Sequence, residues 1–136
     1  MEGYSGTPLA RKLGIKEGFA ALFVNAPAHY FDLFTDFPSE VNELKKPQQE
    51  SADFIHLFCK TQECLETETQ RLKSFLRKNG MLWVSWPKGA SKMETNLNRD
   101  IIRAYILTKV GLVDIKVAAI DANWSGLKFV YRTKDR

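Results

Sequence analysis

Two histidines, His29 and His56, and two cysteines, Cys59 and Cys64, are the only residues of their types in this chain of 136. His29 follows Asn25-Ala26-Pro27-Ala28 at the end of an apolar run, and among the ionisable side chains it is the best candidate for proton transfer. Asp121 is a second acid/base candidate, and Lys88 is placed to stabilise charge that develops during a reaction. A wider set reads as ligand-binding: Asn25, Lys60, Thr61, Lys88, Ser91, Lys92, Asn123, Trp124 and Ser125. Amide and hydroxyl donors with several lysines suit a small anionic metabolite or a nucleotide. His56 lies inside the apolar run "DFIHLF", where a hydrogen-bonded interior histidine is a simpler reading than a base. Lys88 and Lys92, taken singly, read as solvated loop charges. No nucleophile or orienting carboxylate stands out beside His29, so the catalytic residues stay unknown and enzyme status stays open.

Other chemistries find no support. The C-x₄-C spacing is not that of a zinc knuckle and neither histidine pairs with it, so no metal site is expected. Cys59, in an apolar run, reads as a small hydrophobe, and two cysteines do not make a disulfide framework. There is no Gly-x-Gly-x-x-Gly, no phosphate loop and no nucleophile elbow. A net charge of +4 is spread without a block of like charges, which makes nucleic acid an unlikely partner. No run of about 18 apolar residues predicts a membrane span. The N-terminal residues lack the pattern of a signal peptide, so the expected location is cytoplasmic. Oligomeric state is not indicated.

The elements that must position these residues follow from pattern. "GTPLARKLGI" predicts a short helix with Thr7 as cap, Pro8 in the first turn and Gly14 at its end. "FAALFVNAP" reads as a buried strand. "AHYFDLFTDF" reads as a helix, with Tyr30, Phe31, Phe34 and Phe37 at helical spacing and Pro38 after it. Residues 39–45 allow a weak edge strand near Val41. "DFIHLFCK" is a strand, and "TQECLETETQRLKSFLRKNG" reads as a long amphipathic helix stopped by Gly80, with Arg71, Lys73, Arg77 and Lys78 late in it. "MLWVSW" is a third buried strand, with Trp83 and Trp86 in the core. A helix then starts at Thr95 or Asn96 and ends at Gly111. "LVDIKVAAI" and "LKFVYR" are strands joined by "DANWSG", with Asp114, Lys116, Lys128 and Arg132 expected in cross-strand pairs.

Strands alternating with helices imply parallel pairing through crossovers, and only the last connection is too short for one. The expected fold is α/β: a three-layer, Rossmann-like, doubly wound sheet, mostly parallel, with a C-terminal antiparallel hairpin. One domain spans 1–136, with 1–17 as an N-terminal helical arm and 18–136 as sheet and helices. In such a sheet ligands settle outside the carboxyl ends of the strands. The segments there are Asn25–His29, Lys60–Gln62, Pro87–Lys92 and Asp121–Gly126, and together they hold every candidate named above except His56. Helix N-termini near 28, 62 and 96 are expected to add positive charge to the same edge.

Two resemblances arise from these residues. "KEGFAALFVNAP", "DFIHLF", "GMLWVSWP" and "LVDIKVAAIDANWSGLKFVYR" are similar to the skeleton of class I S-adenosylmethionine-dependent methyltransferases. Such domains open with Lys-x-Gly and an apolar strand and close on an antiparallel hairpin. Asn25-Ala26-Pro27 stands where they carry a glycine-rich cofactor turn, and no acidic ribose-binding residue stands out, so S-adenosylmethionine in the usual manner is not expected and the cofactor is unknown. Over nearly the whole chain, "GYSGTPLARKLGI", "NAP", "WVSWPK" and "DANWSGLKFVYRTKDR" resemble a family of short bacterial proteins classed as a domain of unknown function, which implies kinship but no reaction. The leading expectation is binding of a small anionic ligand at the carboxyl edge without chemistry. The alternatives are a pared-down methyltransferase-like enzyme or a protein-interaction domain anchored by Tyr4 or Trp124.

Overall fold

In the computed structural model, which describes residues 6–136, six strands form one sheet in the order β2-β1-β3-β4-β6-β5. They are β1 (Ala20–Val24), β2 (Asn42–Glu43), β3 (Ala52–Phe58), β4 (Leu76–Pro87), β5 (Leu112–Ala119) and β6 (Trp124–Tyr131). β1 pairs in parallel with β2 and β3, and β3 pairs in parallel with β4. β6 enters between β4 and β5 and runs antiparallel to both. The chain thus moves to one side of β1 for β2 and to the other for β3. Strand order reverses between β1 and β3. The weak strand near Val41 is the two-residue β2.

Alternation along the central strands builds two cores. Ile55, Leu57, Leu82, Val84 and Trp86 face α2 (Gln62–Lys73) and α3 (Arg99–Tyr105). Phe54, Phe58 and Trp83 face α1 (Leu9–Leu13) and an aromatic segment. Helices on both faces give the three-layer Rossmann-like arrangement expected, with its antiparallel C-terminal pair.

Several local expectations are corrected. α1 starts at Leu9, so Pro8 flanks it rather than occupying its first turn, while Gly14 closes it at φ 87°. The indole Nε1 of Trp83 donates to the carbonyl of Leu13 at 2.8 Å and ties α1 to the sheet.

Residues 28–37 are not a helix. Only Tyr30–Leu33 make a 3₁₀ turn. Tyr30 packs edge-on against Phe31, Phe34, His56 and Phe58, and Phe37 against Phe31 and Phe34, so one aromatic cluster replaces a helical stripe.

α2 ends at Lys73, and the chain re-enters the sheet at Leu76, opposite Ala52. Arg77 and Lys78 therefore lie on a strand, where Arg77 meets Asp53 and Lys78 lies over the Tyr131 ring. Gly80 stops no helix. A Cβ there would come within 3.0 Å of the carbonyl oxygens of Ala52 and Asp53, at the irregularity where the β3–β4 register shifts.

α3 is capped by Asn98, whose Oδ1 accepts from Ile101 N at 2.9 Å, because Thr95 and Asn96 turn toward the loop after β3. The helix continues as a π turn over Ile106–Val110 to Gly111, at φ 86°. β6 begins at Trp124, so Trp124, Ser125 and Gly126 belong to the sheet and not to a loop. Asp114 and Arg132 make no cross-strand pair. Asp114 binds the guanidinium of Arg103 on α3, and Arg132 donates to the carbonyls of Gly111 and Leu107. Lys116 stands opposite Lys128 and its ammonium donates to the carbonyl of Lys12 instead.

Among the described residues no helix is long and apolar enough to cross a membrane.

Candidate active site

The carboxyl ends of β1 and β3 flank the place where strand order reverses, and a cavity of about 650 Å³ lies there. Four connections line it. The turn after β1 supplies Asn25, Ala26, Pro27 and His29; the turn after β3 supplies Lys60, Thr61 and Cys64; the long link after β4 supplies Met93; and Asn123 comes from the turn before β6, which itself opens with Trp124. Phe58 forms the floor, with its ring edge-on to Trp124 at 5.0 Å. The volume and the mix of aromatic walls with a few polar groups suit one small organic ligand.

Each turn has a local cause. Asn25 adopts φ 60°, a left-handed conformation that asparagine tolerates better than most residues, and this bends the chain sharply off β1. Its amide Nδ2 donates to the carbonyl of Phe58 at 3.3 Å, clamping β1 to β3 at the edge. After β3, Thr61 caps α2 by accepting from Cys64 N at 3.1 Å, while Asn96 Oδ1 accepts from Gln62 N at 2.9 Å.

These caps correct the electrostatic expectation. Only the four-residue 3₁₀ turn Tyr30–Leu33 begins near 28, the α2 amides at Gln62 and Cys64 are already bonded, and the third helix begins at Arg99 with its own cap. Among the expected lysines, Lys60 alone lines the cavity. Lys88 is placed one step away, its amide donating to the carbonyl of Asn123 at 2.8 Å, and Ser91 turns back on the Lys88 carbonyl. Lys92 and Ser125 do not line the cavity either; Ser125 pairs with Trp86 and Ala119 inside the sheet. The strongly cationic wall that the lysines suggested does not form.

At the mouth, His29 Nε2 lies 3.1 Å from Asp121 Oδ2. The imidazole side chain is 49% exposed and the carboxylate 14%. Asp121 is itself held: its Oδ1 accepts from the amides of Asn123 and Trp124, each at 2.8 Å. A carboxylate anchored by two backbone amides and facing one ring nitrogen fixes the orientation of the imidazole. With Nε2–H donating to Asp121, the other nitrogen is the basic one. The orienting carboxylate was not evident in the sequence because it lies 92 residues away. Asp121 also faces a neighbouring groove of about 380 Å³ lined by Pro8, Leu9, Leu33 and Ile120.

The second histidine is structural, as its apolar surroundings suggested. His56 is fully buried, with Tyr30 Oη 2.9 Å from Nδ1, Ser85 Oγ 2.8 Å from Nε2, and Phe58 stacked on the ring. Burial lowers its pKa to about 3, which keeps the ring neutral. Trp124, considered as an exposed anchor, is only 6% exposed, and Tyr4 lies outside the described residues. Phe58, Cys64 and Met93 line the cavity as well, beyond the residues expected there. Phe58 was hidden in an apolar run, whereas Cys64, three residues after a capping threonine, carried a usable signal. Among the described residues no group of three or more His, Cys, Asp or Glu could hold a metal ion.

No family model matches the chain, and no curated protein matches it in sequence. Solved structures do match in shape. A SAM-dependent methyltransferase from Aquifex aeolicus superposes with a TM-score of 0.60 at 15% identity, over 88% of this chain and 85% of that one. The 1,6-didemethyltoxoflavin-N1-methyltransferase of Burkholderia thailandensis, solved with S-adenosylhomocysteine, gives 0.58 at 11% identity over 89% and 73%. A TehB-like SAM-dependent methyltransferase from Corynebacterium glutamicum gives 0.55 at 11% over 96% and 90%. The chain has the fold of the class I methyltransferases.

Proposed function

We propose that this protein is a methyltransferase-like enzyme that holds S-adenosylmethionine in the cavity at the ends of β1 and β3. The observation that carries the reading is the convergence of four connections on one cavity at the reversal of strand order, with a carboxylate-held imidazole at its mouth. The residues present fit such a ligand. Asn25 makes with its left-handed backbone the bend that glycine makes in a glycine-rich turn. Trp124, packed on the buried Phe58, offers apolar surface for a base ring, and Lys60 and Thr61 offer donors for a carboxylate. When bound, the sulfonium supplies an electrophilic methyl group. His29, oriented by Asp121, would take the proton from an O–H or N–H acceptor as it is methylated.

Retention of a small anion without chemistry has less behind it, since Lys60 is the one lysine lining the cavity and the adjacent amides of α2 are bonded.

Calorimetry with S-adenosylmethionine and S-adenosylhomocysteine tests the reading. Saturable one-to-one binding is expected, lost in Ala26→Trp, which fills the cavity from a half-buried turn residue. His29→Ala should still bind while losing about 100-fold or more of any transfer rate. No heat with either compound at millimolar concentration, or equal binding by Ala26→Trp, would overturn it.

A further inference from the structure

Cys59 and Cys64 meet where β3 passes into α2, with their sulfurs 2.8 Å apart. Both residues are held by backbone bonds. The amide of Cys59 donates to the carbonyl of Ser85 at 2.9 Å, and that of Cys64 to Thr61 Oγ1 at 3.1 Å in the first turn of the helix. Cys59 is buried, whereas Cys64 is half-exposed and lines the cavity, with Asn25 Nδ2 at 3.7 Å from its sulfur. A disulfide has its sulfurs about 2.0 Å apart, so a shift of less than about 1 Å separates this contact from a bond.

We propose that Cys59 and Cys64 are a dithiol modification site that closes reversibly to an intramolecular disulfide in the wall of the cavity. The oxidant is a low-molecular-weight disulfide of the glutathione class. The Cys64 thiolate attacks one of its sulfurs, forming a mixed disulfide and expelling one glutathione thiolate, which takes up a proton. The Cys59 thiol then loses its proton and attacks Cys64 Sγ, and the second glutathione leaves as its thiol. Two protein thiols are oxidised and one glutathione disulfide is reduced to two glutathiones. The order follows from exposure: Cys64 can be reached through the cavity and Cys59 cannot. Burial, and then the contact with Cys64, push the Cys59 thiol far up, so it holds its proton until a sulfur beside it is activated. The Cys64 sulfur lies 3.7 Å from Asn25 Nδ2 in the cavity wall, and any effect of closure on ligand affinity rests on the function proposed above.

The reduced full-length chain is equilibrated with graded ratios of oxidised to reduced glutathione, then alkylated and weighed intact. Wild type should lose both alkylatable thiols together, as the chain minus two hydrogens, with full recovery in dithiothreitol. Cys59→Ala should stop at one glutathione adduct on Cys64, and Cys64→Ser should take up none; circular dichroism checks that both variants keep the fold. Two thiols that stay alkylatable at every ratio, a lasting glutathione adduct on wild type, or a disulfide only between two chains would overturn the proposal. No ligand enters these readings, so their failure leaves the methyltransferase reading standing, and the reverse also holds.

Discussion

Each of the two histidines is hydrogen-bonded, yet their surroundings make them different chemical objects. His56 sits between Tyr30 and Ser85 with no exposure and with a depressed pKa. His29, the residue next to Tyr30, turns the other way and pairs with Asp121 at the open mouth of a cavity. A hydrogen bond alone does not distinguish a base from a structural group. Access to solvent and to a ligand does: His56 is enclosed within β3, whereas His29 stands in the turn after β1 at the edge of the sheet.

The strongest test of that contrast is acid. Between about pH 6.5 and about 3 the unfolded chain binds a proton at residue 56 that the folded chain refuses. The stability from neutral His56 is complete above its unfolded pKa and is lost as pH falls, by about 4–5 kcal/mol across that window. Urea unfolding at stepped pH should show this slope, and His56→Gln should flatten it by close to one proton. An unchanged slope would mean that His56 is not buried neutral.

Next in size is His56→Ala. It empties an aromatic-walled site and strands the Tyr30 and Ser85 hydroxyls, so unfolding in urea should show a loss of about 3–4 kcal/mol. Asp121→Ala should cost about 1–2 kcal/mol in the same assay, because the amides of Asn123 and Trp124 lose their acceptor. Asp121→Asn keeps an oxygen there and should recover most of that loss while altering any transfer rate that depends on His29.

The smallest effect is expected for His29→Ala, within about 0.5 kcal/mol of wild type at neutral pH, since the ring is half-exposed and its hydrogen bond to Asp121 is open to water. A loss as large as that of His56→Ala would erase the distinction between the two sites.

Much of the frame could be read along the chain. Gly14 and Gly111 mark helix ends because a left-handed residue is required there, and Thr61 marks a helix start because its hydroxyl accepts an amide. The apolar runs at 20–24, 53–58 and 81–86 lie in strands. Elsewhere local pattern was misleading. The aromatic spacing at 30, 31, 34 and 37 matches a helix face, but Phe23, Phe54, His56 and Phe58, from other strands, supply better neighbours than a helix would. Gly80 looks like a helix stop and is instead a gap through which the β3 backbone passes. Lys88 and Lys92 share a loop with the rest of that edge, but residence on an edge does not aim a side chain.

The succession of strands, the closure of helices at Gly14 and Gly111 and the alternation of apolar positions were determined by the sequence itself, because propensity, helix-end conformation and periodicity act within one turn or one strand. Tertiary structure alone decided which distant groups face each other: Asp121 against His29, and Tyr30 and Ser85 against His56. The physical reason is reach. A contact between residues many positions apart is set by strand order and by which side of the sheet each side chain leaves, and neither is encoded in the spacing of its neighbours.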